Sequence, residues 1–343
     1  MRWLESLPGL ARERLPPSVW EYFDQGAGRG ISAAEAASVW DAVRFRPRAL
    51  VDVSRVSTAT TALGQQLTLP VLVAPTTLQR LATPEGELAT ARAARRAGSL
   101  MCVSSNAGTP FEQIGAIGHP WWVQAYLMRD RGLSLAVLER ARASGACAVV
   151  LTADTPVVGT KHQVGDSVWD RVRPEQIRVN IDAAGLPASA LDKADDLTPD
   201  TIGWLVEHTG LPVVVKGVLR GDDAALAVRA GARGVVVSNH GGRQLDQAIA
   251  TARALPDVVQ AVRADAEVLV DGGLRTSEHV LAALALGAQA VLLGRPVLWA
   301  LAVAGEDGVT RLLDELRRDL AECLRLVGAP CLDLLGPDLL ADR

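Results

Sequence analysis

From Leu69 onward the chain alternates short apolar, β-branched runs with longer stretches in which polar residues return at helical spacing. The runs are LPVLVAP from Leu69, SLMCVSS from Ser99, WWVQAY from Trp121 and AVVLTAD from Ala148, then LPVVVKG from Leu211, GVVVSN from Gly234, EVLVDGG from Glu267 and AVLLGR from Ala290. Each is apolar throughout rather than on alternate positions, the pattern of parallel strands buried on both faces. The stretches between them begin and end as helices do. PEGELATARAARRAG opens on Pro84 with acidic residues in its first turn and closes on Gly98. That asymmetry puts a proline where no N–H is needed and a glycine where the chain leaves the helix. LSLAVLERARASG, GDDAALAVRAG and RTSEHVLAALALGA repeat it. Eight such units, closed by a helix around GVTRLLDELRRDLAECLRLVGA, predict an α/β fold of the (β/α)8 TIM-barrel type. An open doubly wound sheet is the alternative, but no GxGxxG turn follows the first strand.

Two regions stand outside this rhythm. Residues 1–65 precede the first strand and are expected to form a helical cap and a short extended piece. Residues from about 157 to 198 separate the fourth and fifth strands, far more than the usual loop of about 2–6 residues in an α/β unit. Their mixture of Gly, Pro, Asp and isolated apolar residues predicts a partly mobile lid over the barrel mouth. The whole chain, 1–343, is expected to be a single domain whose barrel spans 66–343.

Composition narrows the function. Hydrophobic residues make up 49% of the chain and charged ones 22%, the balance of a soluble globular protein. A net charge of −4 gives no basic excess for a nucleic acid or an anionic membrane. No run reaches the roughly eighteen apolar residues of a membrane span. The opening MRWLESLPGLARERLPPSVW carries charges and prolines where a signal peptide has its apolar core, so a cytoplasmic location is expected. Cys102, Cys147, Cys323 and Cys331 form no CxxC pair; they are expected to be buried thiols in a reducing compartment, with no metal site. Lysine is scarce, at Lys161, Lys193 and Lys216 only, as is tyrosine, at Tyr22 and Tyr126.

In such barrels chemistry gathers at the C-terminal strand ends. Here those ends carry Thr76, Ser104 and Ser105, Gln124 with Tyr126, Thr152 with Asp154, and Lys216. Ser238 with His240 and Arg243, Asp271 with Arg275, and Gly294 with Arg295 complete the ring. DGGLR after the seventh strand and GRP after the eighth join bare backbone to a guanidinium at the customary phosphate site of this fold. Lys216 ends an all-valine strand, where a charge needs an anion or a polar ligand beside it. It suits either a Schiff base or the edge of an electron-rich cofactor. Asp154 suits a carboxylate that orients a histidine and raises its pKa, or one that caps the turn after its strand.

The segment SNHGGRQLD, Ser238 to Asp246, resembles the active-site motif of the FMN-dependent α-hydroxy acid oxidase/dehydrogenase family, which includes glycolate oxidase, lactate oxidase and mandelate dehydrogenase. FRPRALVDVS, VAPTTLQRLATPEGELATARAA, LTADTP, LPVVVKGV, DGGLRTSEHVLAALALGA and VLLGRPVLWALAVAGEDGV are similar to other family segments and occur in family order. The resemblance covers nearly the whole chain except the lid. It implies FMN as cofactor and oxidation of a 2-hydroxy acid to a 2-oxo acid, with O2 or another acceptor reoxidising the flavin. His240 would be the base, with Asp154 oriented against it. Arg243 and Tyr22 would hold the substrate carboxylate and Tyr126 the substrate oxygen. Pro75, Thr76, Ser104, Gln124, Thr152, Lys216 and Ser238 would line the flavin. Asp271, Gly273, Arg275, Gly294 and Arg295 would hold its ribityl chain and phosphate. Relatives also imply a homotetramer or a multiple of it, such as an octamer.

The chain departs from the family pattern in two places. Lys161 replaces an arginine near the substrate carboxylate, keeping the charge but losing the fork. Asn106 stands where glycolate-type enzymes carry a tryptophan, which implies room for a bulkier or more polar substrate side chain. The rival readings are a non-redox FMN barrel of the isopentenyl diphosphate isomerase type, a Schiff-base aldolase built on Lys216, and a scaffold without turnover.

Overall fold

The computed structural model describes residues 2–162, 167–182 and 184–341; part of the expected lid, 163–166 and 183, therefore lies outside the described residues. Three helices come first: α1 (Trp3–Arg14), α2 (Pro17–Asp24) and α3 (Ile31–Asp41). A hairpin of β1 (Thr60–Ala62) and β2 (Gln65–Leu67) follows. The barrel then runs β3 (Val71–Val73), α4 (Glu87–Ala97), β4 (Met101–Ser104), α5 (Phe111–Gly115), β5 (Trp121–Ala125), α6 (Arg131–Ala143) and β6 (Ala146–Thr152). After a long connection come α7 (Asp200–Thr209), β7 (Val213–Val218), α8 (Gly221–Arg229), β8 (Gly234–Val237) and α9 (Thr251–Val262). β9 (Glu267–Val270), α10 (Ser277–Ala285), β10 (Ala290–Leu293) and α11 (Arg295–Val327), the last broken at Ala304 and Gly305, end the series.

All eight expected strands are present, and β10 pairs in parallel with β3 to close the barrel. Alternation along each strand sorts its side chains. Leu72, Cys102, Trp122, Val150, Val214, Val236, Leu269 and Leu292 fill the interior. Their neighbours Val71, Val73, Val149, Val235 and Val291 face the helices, as a period of two requires.

The hairpin was expected only as an extended piece, and the expected cap boundary at residue 65 cuts through it. Leu63 (φ 44°) and Gly64 (φ 77°) make its tight turn. Ala62 and Leu67 join the barrel interior, and Glu267 accepts the Leu63 N–H at 2.9 Å. The hairpin thus plugs the N-terminal end and leaves the opposite end open for chemistry.

Candidate active site

After β8 the chain turns through three consecutive left-handed residues, His240 (φ 58°), Gly241 (63°) and Gly242 (74°). A non-glycine residue holds that conformation only where its surroundings impose it. Ser238 Oγ accepts the His240 N–H at 3.0 Å, and Asn239 Oδ1 accepts that of Gly242 at 3.1 Å. A Cβ on Gly242 would lie 2.4 Å from the Ala33 nitrogen in α3, so contact as well as dihedral requires glycine. The turn delivers His240 and Arg243 to one cavity of about 570 Å³ at the barrel mouth.

His240 Nδ1 lies 2.9 Å from Asp154 Oδ1, and its Nε2 lies 3.3 Å from the Tyr126 hydroxyl. Burial works against ionisation of Asp154, but His240 and Lys216 overcome it and hold the carboxyl below its usual range. An ionised Asp154 accepts the Nδ1 proton and leaves the Nε2 lone pair toward Tyr126. Burial raises the Tyr126 pKa well above its usual value, so that hydroxyl stays a donor. For His240 the expectation is corrected. Burial lowers its pKa, and although Asp154 pulls upward the net shift is downward. The imidazole is therefore held neutral, the form a base needs.

Arg243 Nη1 donates to the carbonyls of Phe23 (3.3 Å) and Gln25 (2.9 Å). Arg295 donates to the same two carbonyls and to that of Gly241. Two guanidiniums thus converge on the C-terminal end of α2, where unpaired carbonyls concentrate negative potential. Tyr22, on that helix, places its ring centroid 5.2 Å from the Arg243 guanidinium carbon. Lys161 Nζ donates to Gly159 O (2.7 Å) and Arg243 O (2.9 Å), and burial with Arg243 nearby pushes its pKa down to about 8. Tyr22, Asn106, Tyr126 and Lys161 all line the cavity with His240 and Arg243.

The inner wall holds Pro75, Thr76, Ser104, Lys216, Asp271, Gly273, Arg275, Gly294 and Arg295. Gln124, Thr152, Ser238 and Asp154 stand one layer behind. Ser104 Oγ donates to Gln124 Oε1 (3.2 Å), and Gln124 Nε2 donates to Thr152 Oγ1 (2.8 Å). Lys216 Nζ donates to Ser238 Oγ at 2.8 Å and pairs with Asp271 Oδ2 at 3.0 Å. Burial opposes its charge, but Asp271 and Asp154 together raise its pKa. A lysine held charged is a poor amine nucleophile, which disfavours the Schiff-base reading.

Several features fit a flavin phosphate ester. Asp271 Oδ1 is buried without a partner, an acceptor available to a ribityl hydroxyl. Burial pushes Arg275 down to about 10 and Arg295 down to about 9. Buried cations of this kind call for an anion, and Gly294 starts α11 beside them. Gly273, on the wall of the same cavity, also has a structural part. A Cβ there would meet Ala36 O at 2.2 Å, so its bare backbone seats α3.

Sequence reasoning missed several residues. Gln244 accepts the Gly159 N–H and donates to Asp154 O and Val157 O. Asp246 accepts the N–H groups of Arg29 and Ser32. Both lie inside the quoted SNHGGRQLD motif, where their polarity was a usable signal. His279 accepts the Arg275 N–H at Nδ1 (3.2 Å) and bonds Asp41 at Nε2 (2.8 Å). Trp169, Arg178 and Lys193 also line the cavity. Only the rarity of lysine hinted at Lys193.

Residues 11–342 match the family model described as FMN-dependent dehydrogenase. The chain is 44% identical to the L-lactate oxidase of Nostoc sp., covering 93% of this chain and 92% of that one. It is 41% identical to the 4-hydroxymandelate oxidase of Amycolatopsis orientalis, covering 95% and 94%. A solved structure of mandelate oxidase with (S)-4-hydroxymandelic acid superimposes with a TM-score of 0.90 at 38% identity, covering 98% of each chain. The barrel, the polar ring at its mouth and these likenesses agree: the chain belongs to the FMN-dependent dehydrogenase family.

Proposed function

We propose that the protein oxidises an (S)-2-hydroxy acid to the 2-oxo acid with FMN as cofactor and O2 as final acceptor. The observation that carries this is the Asp154–His240–Tyr126 chain, 2.9 and 3.3 Å between partners, ending in the same cavity as Arg243. Asp154 fixes the imidazole tautomer and orientation, and His240 Nε2 takes a proton from the substrate. Arg243, with Tyr22, holds the carboxylate, and Lys161 adds positive charge beside it. Tyr126 donates to the substrate oxygen. Lys216, Ser104 and Thr76 would border the flavin ring, Asp271 its ribityl chain, and Arg275 with Arg295 its phosphate. Bound there, FMN supplies a two-electron acceptor. Over the whole reaction the substrate loses its hydroxyl proton, its α-hydrogen and two electrons, and O2 leaves as hydrogen peroxide.

The relatives named for lactate, 4-hydroxymandelate and mandelate support this class of substrate. The same reading treats the β6–α7 connection as a lid and the protein as a cytoplasmic homotetramer or octamer. Light scattering tests the assembly. Among the described residues no helix is long and apolar enough to cross a membrane. The purified protein should be yellow and should bleach anaerobically with (S)- but not (R)-2-hydroxy acids. A colourless protein that refuses added FMN overturns the reading.

A further inference from the structure

The outer end of the cavity carries more positive charge than one carboxylate requires. Arg243, Lys161, Arg178 and Lys193 all line it. Lys193 Nζ sits 3.7 Å from the centroid of the Tyr126 ring. Its backbone is fixed there, because Lys193 bridges Met128 and the Ala194 N–H donates to Leu127 O at 2.8 Å. Arg178 is held by its backbone, its N–H donating to the Asn106 carbonyl at 3.4 Å and its φ at 55°.

The carboxylates flanking these cations are paired with other residues. Asp195 and Asp196, next along the chain, pair with Arg129 and Arg131. Asp154 is held by His240 and Asp271 by Lys216. Among the described residues no ion pair joins Lys193 or Arg178 to a carboxylate. Burial, with Arg178 the next cause, pushes the Lys193 pKa down to about 8, which marks a cation without full compensation. A cation over an aromatic ring recovers only part of the cost of desolvation. Asp154 offsets Lys193 only in part and the α-carboxylate of a substrate answers Arg243, which leaves this end with more cation than anion.

We propose that Lys193 and Arg178 form a second anion subsite, so that the preferred substrate is a 2-hydroxy acid whose side chain ends in a second anionic group, a carboxylate or a phosphate. This rests on the reading of the site as a 2-hydroxy acid oxidase. Asn106 leaves the space for such a side chain, and Arg178 and Lys193 line the same cavity beyond it.

The test uses the full-length, FMN-loaded enzyme and compares anaerobic flavin bleaching by (S)-malate, (S)-2-hydroxyglutarate, 2-hydroxy-3-phosphopropionate, (S)-lactate and (S)-mandelate. Titration with the 2-oxo diacid and with pyruvate, followed by the flavin spectrum, adds a binding readout free of turnover. Dianionic acids are expected to have the higher kcat/KM. Lys193→Met and Arg178→Gln should each lower the dianion-to-monoanion ratio on the order of ten- to hundredfold, the loss expected for one charge-assisted contact. Lys193→Arg should restore it, which separates lost charge from a disturbed loop. The better of the carboxylate and phosphate arms identifies the group. If lactate or mandelate is preferred and the ratio is indifferent to both substitutions, the subsite is refuted while the oxidase reading stands. Failure of every acid to bleach the flavin refutes both.

Discussion

The loop after β8 and the connection between β6 and α7 border one cavity, yet they are held in different ways. The first follows a fully buried strand, turns through three left-handed residues and packs its backbone directly on α3. The second has only short 3-10 turns, at Val168–Asp170, Pro174–Gln176 and Ala188–Leu191, among its described residues. It is tied down by scattered side chains, such as Arg80 to Glu175 O and Asn180 to the Phe111 N–H. The groups proposed for catalysis, His240 and Arg243, therefore stand on a loop fixed by a buried strand and by packing on α3. The groups assigned here to substrate choice stand on the part that depends on long-range contacts. One wall can change its residues while the other keeps its chemistry.

The strongest way to break this contrast is His240→Ala. Flavin reduction should slow by about 10²- to 10⁴-fold while FMN stays bound, as read by anaerobic stopped-flow absorbance; an unimpaired rate would remove the base from the floor of the site. Next in size is a pair of glycines. Gly242→Ala introduces a clash with Ala33 as well as strain at φ 74° and should cost about 2–4 kcal/mol in denaturant unfolding. Gly185→Ala, in the β6–α7 connection at φ 77° with nothing within 4 Å, should cost only about 1 kcal/mol. Equal losses would mean the two walls are equally rigid.

The pH profile sharpens the comparison more gently. Protonated His240 cannot accept a proton, and its pKa lies below the ordinary imidazole value. Activity should therefore rise with pH through a value under about 6.5. Asp154→Asn removes the carboxylate that raises it, so the limb should move further to acid while kcat falls. On the alkaline side Lys161 and Lys193, both near 8, lose charge as pH rises, and KM should increase. The smallest effect belongs to the seam between the walls: Gln244→Ala should lower stability by about 1 kcal/mol, and its KM should rise more than its kcat falls.

What the sequence disclosed follows the same division. Strand ends are legible because the apolar runs fix where each strand stops, and the next residue faces the mouth. Hence His240, Arg243, Lys216, Asp271 and Arg275 were all placed at the mouth from local pattern. Lys193 and Arg178 were not, because no periodicity locates a loop whose position depends on bonds to Leu127 and Asn106. The packing part of Gly273 was hidden for a related reason. A bare backbone near two arginines implies an anion, and nothing local announces that it also packs on Ala36, distant in sequence. The direction of the His240 shift also depended on enclosure, which a motif does not disclose.

The seating of α3 on Gly242 and Gly273 has a consequence for any attempt to rebuild this enzyme. Those contacts leave no room for a Cβ at positions 242 and 273 against the backbone of Ala33 and Ala36, while Trp40 Nε1 donates to Gly272 O from the same helix. The first forty residues are therefore neither a handle to be trimmed nor a module to be exchanged between relatives. A graft that shifted the backbone of α3 would press on the loops after β8 and β9 at once, and His240 and Arg275 would lose their register together.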